Sequence, residues 1–224
     1  VADEYHKIAG PFKRSAEDIK KVDRSLWVDP TVQALADSDI WTATEKIDGT
    51  NIRVVWDGHN FAIEGRTDRA QLHGHLIEKI ASYFNAPGVE EEVEEMFGEK
   101  EVIFVGEGYG AGIQSGAHYS PNKEFVGYDI RVNGSWLSQD NVEDVYDKLN
   151  IPVLRPVTIG AVSLDYIVAA VSRGLWSRLA STNTGADVMA EGVVARPVVP
   201  LYDQRGKRII VKVKTVDLFE KAAF

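Results

Sequence analysis

Cysteine is absent from the 224 residues. Its absence excludes disulfides, thiolate metal sites and a cysteine nucleophile. No apolar run approaches the roughly 20 residues that a membrane-spanning helix needs. No leader-like stretch opens the chain, so a cytosolic protein without a membrane partner is expected. Positive charge is also in deficit: Lys+Arg 25 against Asp+Glu 34 leaves a net charge of −9. Binding of nucleic acid through overall charge alone is not expected, and any polyanion must meet a local basic site. Internal repeats, low-complexity tracts and linkers are missing too. The chain therefore reads as a single domain over residues 1–224.

What is present is the composition of a globular protein, 44% hydrophobic and 26% charged. That is enough apolar material to bury a core without covalent staples. Ser15-Ala16-Glu17-Asp18 predicts a short helix to about Val22. Ile52, Val54 and Trp56 alternate along one face, and Asp57-Gly58-His59-Asn60 turns into Phe61-Ala62-Ile63. This is the pattern of a hairpin. Leu72, Leu76, Ile77, Ile80 and Phe84 recur at helical spacing. The acidic run Glu90 to Glu95 reads as a solvated helix face. Val102 to Val105 and Phe125 to Val132 read as buried strands, the second closing at Asn133-Gly134. Val142, Val145, Tyr146 and Leu149 predict another helix. A longer one is expected from a Ser163 cap through Leu179. Gly185 to Leu201, a turn at Asp203 to Gly206, and Arg208 to Lys214 make a final hairpin. In the tail, Val216, Leu218 and Phe219 are expected to dock on the core. The whole predicts an α+β fold built on antiparallel sheets.

The chemistry concentrates in a few places. Glu45-Lys46-Ile47-Asp48-Gly49-Thr50-Asn51 joins two strands. A lysine nucleophile would need this company: glycine for close backbone approach to a phosphate, and a carboxylate to orient a ribose. Lys-x-Asp-Gly alone arises by chance in about 5% of chains this long, and it also fits a hairpin turn with a surface lysine. Further elements follow in order. Glu107 lies just past a buried strand, in Gly106-Glu107-Gly108-Tyr109-Gly110-Ala111-Gly112-Ile113-Gln114. Glu191 interrupts an otherwise apolar strand, where an acid must be paired or bind something. Lys212 and Lys214 share one strand face, and repel unless an anion lies between them. The histidines fall in no metal-ligand spacing.

Taken together these elements, from Thr44 to Thr215, resemble the covalent nucleotidyltransferases, the superfamily of ATP-dependent ligases and messenger-RNA capping enzymes. Glu-Lys-x-x-Gly-Thr-Asn and Gly-Glu-x-x-Gly-x-Gly-Ile-Gln are most similar to the RNA ligase 2 family. The resemblance implies an adenylation-domain fold, its nucleotide pocket set between antiparallel sheets; multi-domain relatives place an accessory domain after it, and with ten residues following Lys214 none is expected here. It implies an ATP-dependent RNA ligase that joins 5′-phosphate and 3′-hydroxyl ends through lysyl-AMP. A DNA ligase, a capping guanylyltransferase or a non-catalytic nucleotide-binding module are the alternatives.

Residue by residue, the resemblance makes Lys46 the nucleophile, and Lys212 and Lys214 the clasp of the α-phosphate. Glu45 would read adenine through its backbone. Asn51 would sit near the phosphate, Arg66 and Glu107 at the ribose, and Phe125 would stack on the base. Glu191 would serve the metal-dependent chemistry, with Asp48 as a second metal candidate. Asp48 stands where the family prototype has histidine. Arg53, Arg69, Arg205, Lys207 and Arg208 are candidate contacts to the RNA backbone. ATP and Mg2+, replaceable by Mn2+, are the implied cofactors, and RNA ends or a nicked duplex the implied partner. A monomer in a bacterial or virus-infected cell is expected.

Overall fold

A computed structural model describes residues 4–19, 21–67 and 71–218. In chain order the structure begins β1 (Phe12–Arg14), β2 (Val22–Trp27), α1 (Pro30–Leu35), β3 (Trp41–Glu45), β4 (Thr50–Trp56) and β5 (Phe61–Gly65). It continues with α2 (Gly74–Phe84), α3 (Val89–Phe97), β6 (Val102–Tyr109), β7 (Glu124–Val132), β8 (Ser135–Trp136) and α4 (Gln139–Lys148). It closes with α5 (Leu164–Ser172), α6 (Arg178–Thr184), β9 (Gly192–Pro197), β10 (Val211–Lys214) and α7 (Thr215–Leu218). All strand pairs within the sheets are antiparallel, and helices flank them, so the α+β expectation holds. Among the described residues no helix is long and apolar enough to cross a membrane.

Two compact units form: residues 1–6 with 48–154, and residues 7–47 with 155–224. The first is a five-stranded sheet in the order β5-β4-β6-β7-β8. Strand alternation sends Ile52, Val54, Trp56, Phe104 and Ile130 to one face, where Leu76, Ile80, Phe84, Val93, Val142 and Tyr146 of the helices close a core. Tyr146 is fully buried there, and its hydroxyl donates to the Val105 carbonyl at 3.0 Å. Burial pushes its ionisation well above the ordinary tyrosine value.

The second unit is the three-stranded sheet β10-β9-β3, with the β1–β2 hairpin beside it in sequence. Trp41, Ala43, Val193, Ala195, Val211 and Val213 lie on one sheet face and pack with Leu164, Ile167, Val168 and Val171 of α5. The register Val211↔Ala195↔Ala43 and Lys212↔Val194↔Thr44 puts Lys212 and Lys214 on the opposite face.

Two helix expectations fail. The Ser15 hydroxyl accepts from the amides of Glu17 and Asp18 (3.2 and 3.4 Å) and shapes a turn, so residues 15–19 are not helical and β2 begins at Val22. Serine offers the same hydrogen bond to a turn as to a helix start. The helix expected from Ser163 to Leu179 stops at Ser172. Gly174 follows at φ +89, and a new helix starts after a Ser177 cap. Leu218 docks in the second core whereas Val216 is exposed; Phe219 lies outside the described residues.

Tyr146→Phe leaves the buried Val105 carbonyl without its donor. Urea unfolding should show a loss of about 1 to 2 kcal/mol with unchanged secondary structure. No loss would remove that hydrogen bond from the account of how α4 is held to the sheet.

Candidate functional site

In the second unit, β3 runs into Lys46, whose amide donates to the Gly192 carbonyl at 2.9 Å and prolongs the ladder with β9. The Lys46 ammonium meets Glu191 Oε2 at 2.6 Å, and Lys214 meets Glu191 Oε1 at 2.7 Å. One carboxylate thus bridges two lysines from different strands. Their side chains are 16% (Glu191), 23% (Lys46) and 30% (Lys214) exposed, so the group is sheltered but open to a ligand.

Glu191 precedes β9 rather than interrupting it, which corrects the sequence expectation. Regular alternation would turn Glu191 to the face of Glu45, away from the lysines. Gly192, at φ +150, breaks the alternation in a conformation that favours glycine. A Cβ at that position would collide with the Val213 carbonyl and come within 2.8 Å of the Lys214 Cα. The Thr215 amide then holds the Glu191 carbonyl at 2.9 Å.

Lys212 is half-buried on the same strand face as Lys214. Burial, with Lys214, Lys46 and Lys7 nearby, pulls its ammonium below the usual lysine range, against a smaller opposing pull from Glu191. Lys7 did not figure in the sequence reading, because nothing in the pattern of the first ten residues singles it out.

Glu45 is buried, and its side chain belongs to α6. Its carboxylate accepts from the Ser177 hydroxyl at 2.5 Å and from the amides of Arg178 and Leu179 at 2.9 and 3.2 Å. It therefore satisfies donors that a helix start leaves open. The residue just before Lys46 is anchored from the side opposite to Glu191. Sequence reasoning missed this anchor because Ser177 was absorbed into the preceding helix; Gly174 was the available signal.

The expected residues Asp48, Asn51, Arg53, Arg66, Glu107 and Phe125 lie in the first unit. Asn51 pairs across β4–β6 with Glu107, so the two share a face, and Asn51 Nδ2 donates to the Tyr128 hydroxyl at 2.6 Å. Gly49 explains the glycine of the lysine motif. A Cβ there would strike the Gly108 carbonyl and lie 2.8 Å from Glu107 Cγ, so only glycine lets this turn lie on β6. Asp48 accepts from the Ser115 amide at 3.4 Å. Arg66 is exposed in the turn after β5.

Two expectations need correction. Phe125 is fully buried with its ring over Gly106 and edge-on to Phe84, so it offers no free face to a base. The register pairs Glu107 with Val126 and Phe125 with Gly108, which puts Phe125 on the core face. Arg53 is likewise fully buried: its Nε donates to the Gly65 carbonyl at 3.1 Å and its guanidinium pairs with Glu64 at 3.0 Å. It cannot reach an RNA backbone from there.

Arg205 and Lys207 are exposed in the turn that Asp203 organises by accepting both their amides at 2.8 Å, whereas Arg208 is buried. Arg69 lies outside the described residues. Among the described residues no three His, Asp or Glu side chains converge as a metal site.

A model of the RNA ligase family matches residues 39–214. No curated protein matches the chain. Among solved structures, Naegleria gruberi RNA ligase shares the fold. A mutant of it with ATP and Mn matches at TM-score 0.63 and 15% identity over 95% of this chain and 60% of its own. A mutant without ligand matches at 0.62 and 15%, over 95% and 57%. A third, with AMP and Mn, matches at 0.61 and 16%, over 83% and 52%. The chain thus spans less than two thirds of the length of those ligases. The family match starts just before β3 and ends on the last residue of β10, taking in Lys46, Glu191, Lys212 and Lys214 together, and on that ground the chain belongs to the RNA ligase family.

Proposed function

We propose that this chain is an ATP-dependent RNA ligase that uses Lys46 as its nucleophile. The observation that carries the reading is the position of Lys46: its Nζ lies 2.6 Å from a carboxylate that also holds Lys214. An ammonium cannot attack until it has lost a proton, and Glu191 Oε2 is placed to accept it. The freed amine then bonds to the α-phosphorus of ATP as the bond to the bridging oxygen breaks, and pyrophosphate leaves. Lys212 and Lys214 stabilise the charge that grows on the phosphate oxygens.

In the second step an oxygen of an RNA 5′-phosphate attacks the phosphorus of lysyl-AMP, and the Lys46 amine leaves and recovers a proton. In the third, a 3′-hydroxyl attacks the activated 5′ phosphorus and AMP departs. Asn51, Arg66 and Glu107 remain the candidates for nucleotide contact, and Arg205 and Lys207 for the RNA backbone. Phe125 and Arg53 are no longer among them.

A divalent ion fits the donor set as Mg2+ commonly binds, through one carboxylate completed by phosphate and water oxygens. Glu191 is the residue that would hold it, once its oxygens are released by the lysines. When bound, the ion adds positive charge at the phosphate oxygens. Asp48 joins no group of carboxylates and is not assigned to it.

Incubation with ATP and Mg2+ followed by intact-mass measurement tests the reading. An AMP-sized increment should form and be absent from Lys46→Ala. Glu191→Gln should slow its single-turnover formation about 100-fold. A folded protein that gains no mass would overturn the proposal.

The lowered Lys212 value predicts a pH signature. Its ammonium discharges at lower pH than an ordinary lysine, and a phosphate beside it restores the charged form. ATP binding in the alkaline range should therefore take up protons, seen by calorimetry in buffers of different ionisation enthalpy. Lys212→Arg should reduce that uptake, since arginine stays charged. Between the lowered value and 10.5 the unfolded chain keeps a proton that the folded chain has lost, so the contribution of Lys212 to stability rises with pH there.

A further inference from the structure

In the second unit the ammoniums of Lys214, Lys46 and Lys7 all act on that of Lys212, against the single carboxylate of Glu191. Both oxygens of that carboxylate are already taken, by Lys46 and by Lys214. Asp217, which lines a cleft with Lys212 and Lys214, is held by Arg14 at 2.6 and 3.3 Å. Glu45 is turned to α6. Among the described residues Lys7 and Lys212 have no carboxylate at ion-pair distance. So large a local excess of positive charge, in a chain of net charge −9, calls for a multiply charged anion.

The backbone brings Lys7 there. β10 is an edge strand of its sheet, and the N-terminal segment lies along it: the Lys212 amide donates to the Ala9 carbonyl at 3.0 Å. Lys7 is two residues earlier, which the chain can separate by at most about 7 Å. Unlike Lys212 and Lys214 it is exposed.

We infer that Lys7 holds the β- and γ-phosphates of the nucleotide, and the inorganic pyrophosphate that they become. The inference rests on the ligase reading above. Lys46 must reach the α-phosphorus, and Lys214 is tied to the same point through Glu191. Lys212 shares the strand face of Lys214. The tail beyond the α-phosphate carries most of the charge of ATP, and Lys7 is the cation left to meet it. As a compact, solvated point charge on a flexible stem, a lysine can follow the pyrophosphate as it departs.

Calorimetric titration with inorganic pyrophosphate tests this directly. Lys7→Ala should weaken binding about 10-fold, the size of one charge-assisted contact. Lys7→Arg should restore it, and Lys13→Ala, an exposed lysine of β1, should leave it unchanged. AMP, which lacks the tail, should bind wild type and Lys7→Ala within about 2-fold of each other. In adenylylation assays the KM for ATP should rise about 10-fold while kcat holds, since the lost contact is made in the ground state as well. Equal pyrophosphate affinity in wild type and Lys7→Ala would overturn the inference, as would an equal loss for pyrophosphate and AMP. Pyrophosphate binding that depends on Lys7, in a chain that never takes up AMP, would uphold the anion site and overturn only the ligase reading.

Discussion

A carboxylate shared by two ammoniums governs the second unit. Taking charges out of water costs several kcal/mol per ion unless partners are well placed. Glu191 meets that condition by giving one oxygen to Lys46 and the other to Lys214, at 2.6 and 2.7 Å. The arrangement requires β3, β9 and β10 to be in register, because each member comes from a different part of the chain. It also requires the break at Gly192, without which strand alternation would turn Glu191 to the wrong face. The trio leaves one positive charge in excess, and Lys212 and Lys7 enlarge it. A site so charged is stable as a fold yet electrostatically incomplete, and on the ligase reading proposed above the phosphates of a nucleotide would complete it.

Lys46 is fixed from two sides by unlike means. Behind it, Glu45 is spent on the start of α6, where two backbone amides and a serine hydroxyl receive its carboxylate. Ahead of it, its own amide is bonded to Gly192. Beyond Cα the Lys46 side chain is held by Glu191, at 2.6 Å. A reactive group held on rigid elements with its rotamer fixed by a partner is preorganised.

The sequence made the helices and strands of the first unit legible, because Leu76, Ile80 and Phe84, or Ile52, Val54 and Trp56, repeat at clean periods over long segments. It also showed Lys46, Glu191, Lys212 and Lys214 as unusual, since lysines and acids in apolar strands demand partners. Illegible were the features decided by register or by a single turn. Phe125 and Val126 are neighbours in sequence, and which of them lies beside Glu107 depends on pairing with β6. Arg53 looked available because charge suggests exposure, yet it sits in a central strand with Glu64 opposite it. Ser177 and Lys7 carry no periodicity of their own: Ser177 is placed by its bond to Glu45, and Lys7 is brought near β10 by the bond of Ala9 to Lys212.

The lysine motif divides between the two units, and its spacing follows from that division. The chain passes from one to the other after Ile47, so Lys46 is the last polar residue of the 7–47 segment and Asp48-Gly49 open the 48–154 segment. Gly49 is a glycine because its turn lies against Gly108 and Glu107, and Lys46 is held by Glu191. Neither residue contributes to the constraint on the other; three peptide bonds link them, through a buried Ile47 and then Asp48. Each half of the motif is thus fixed by its own unit, Lys46 by Glu191 and Gly49 by β6.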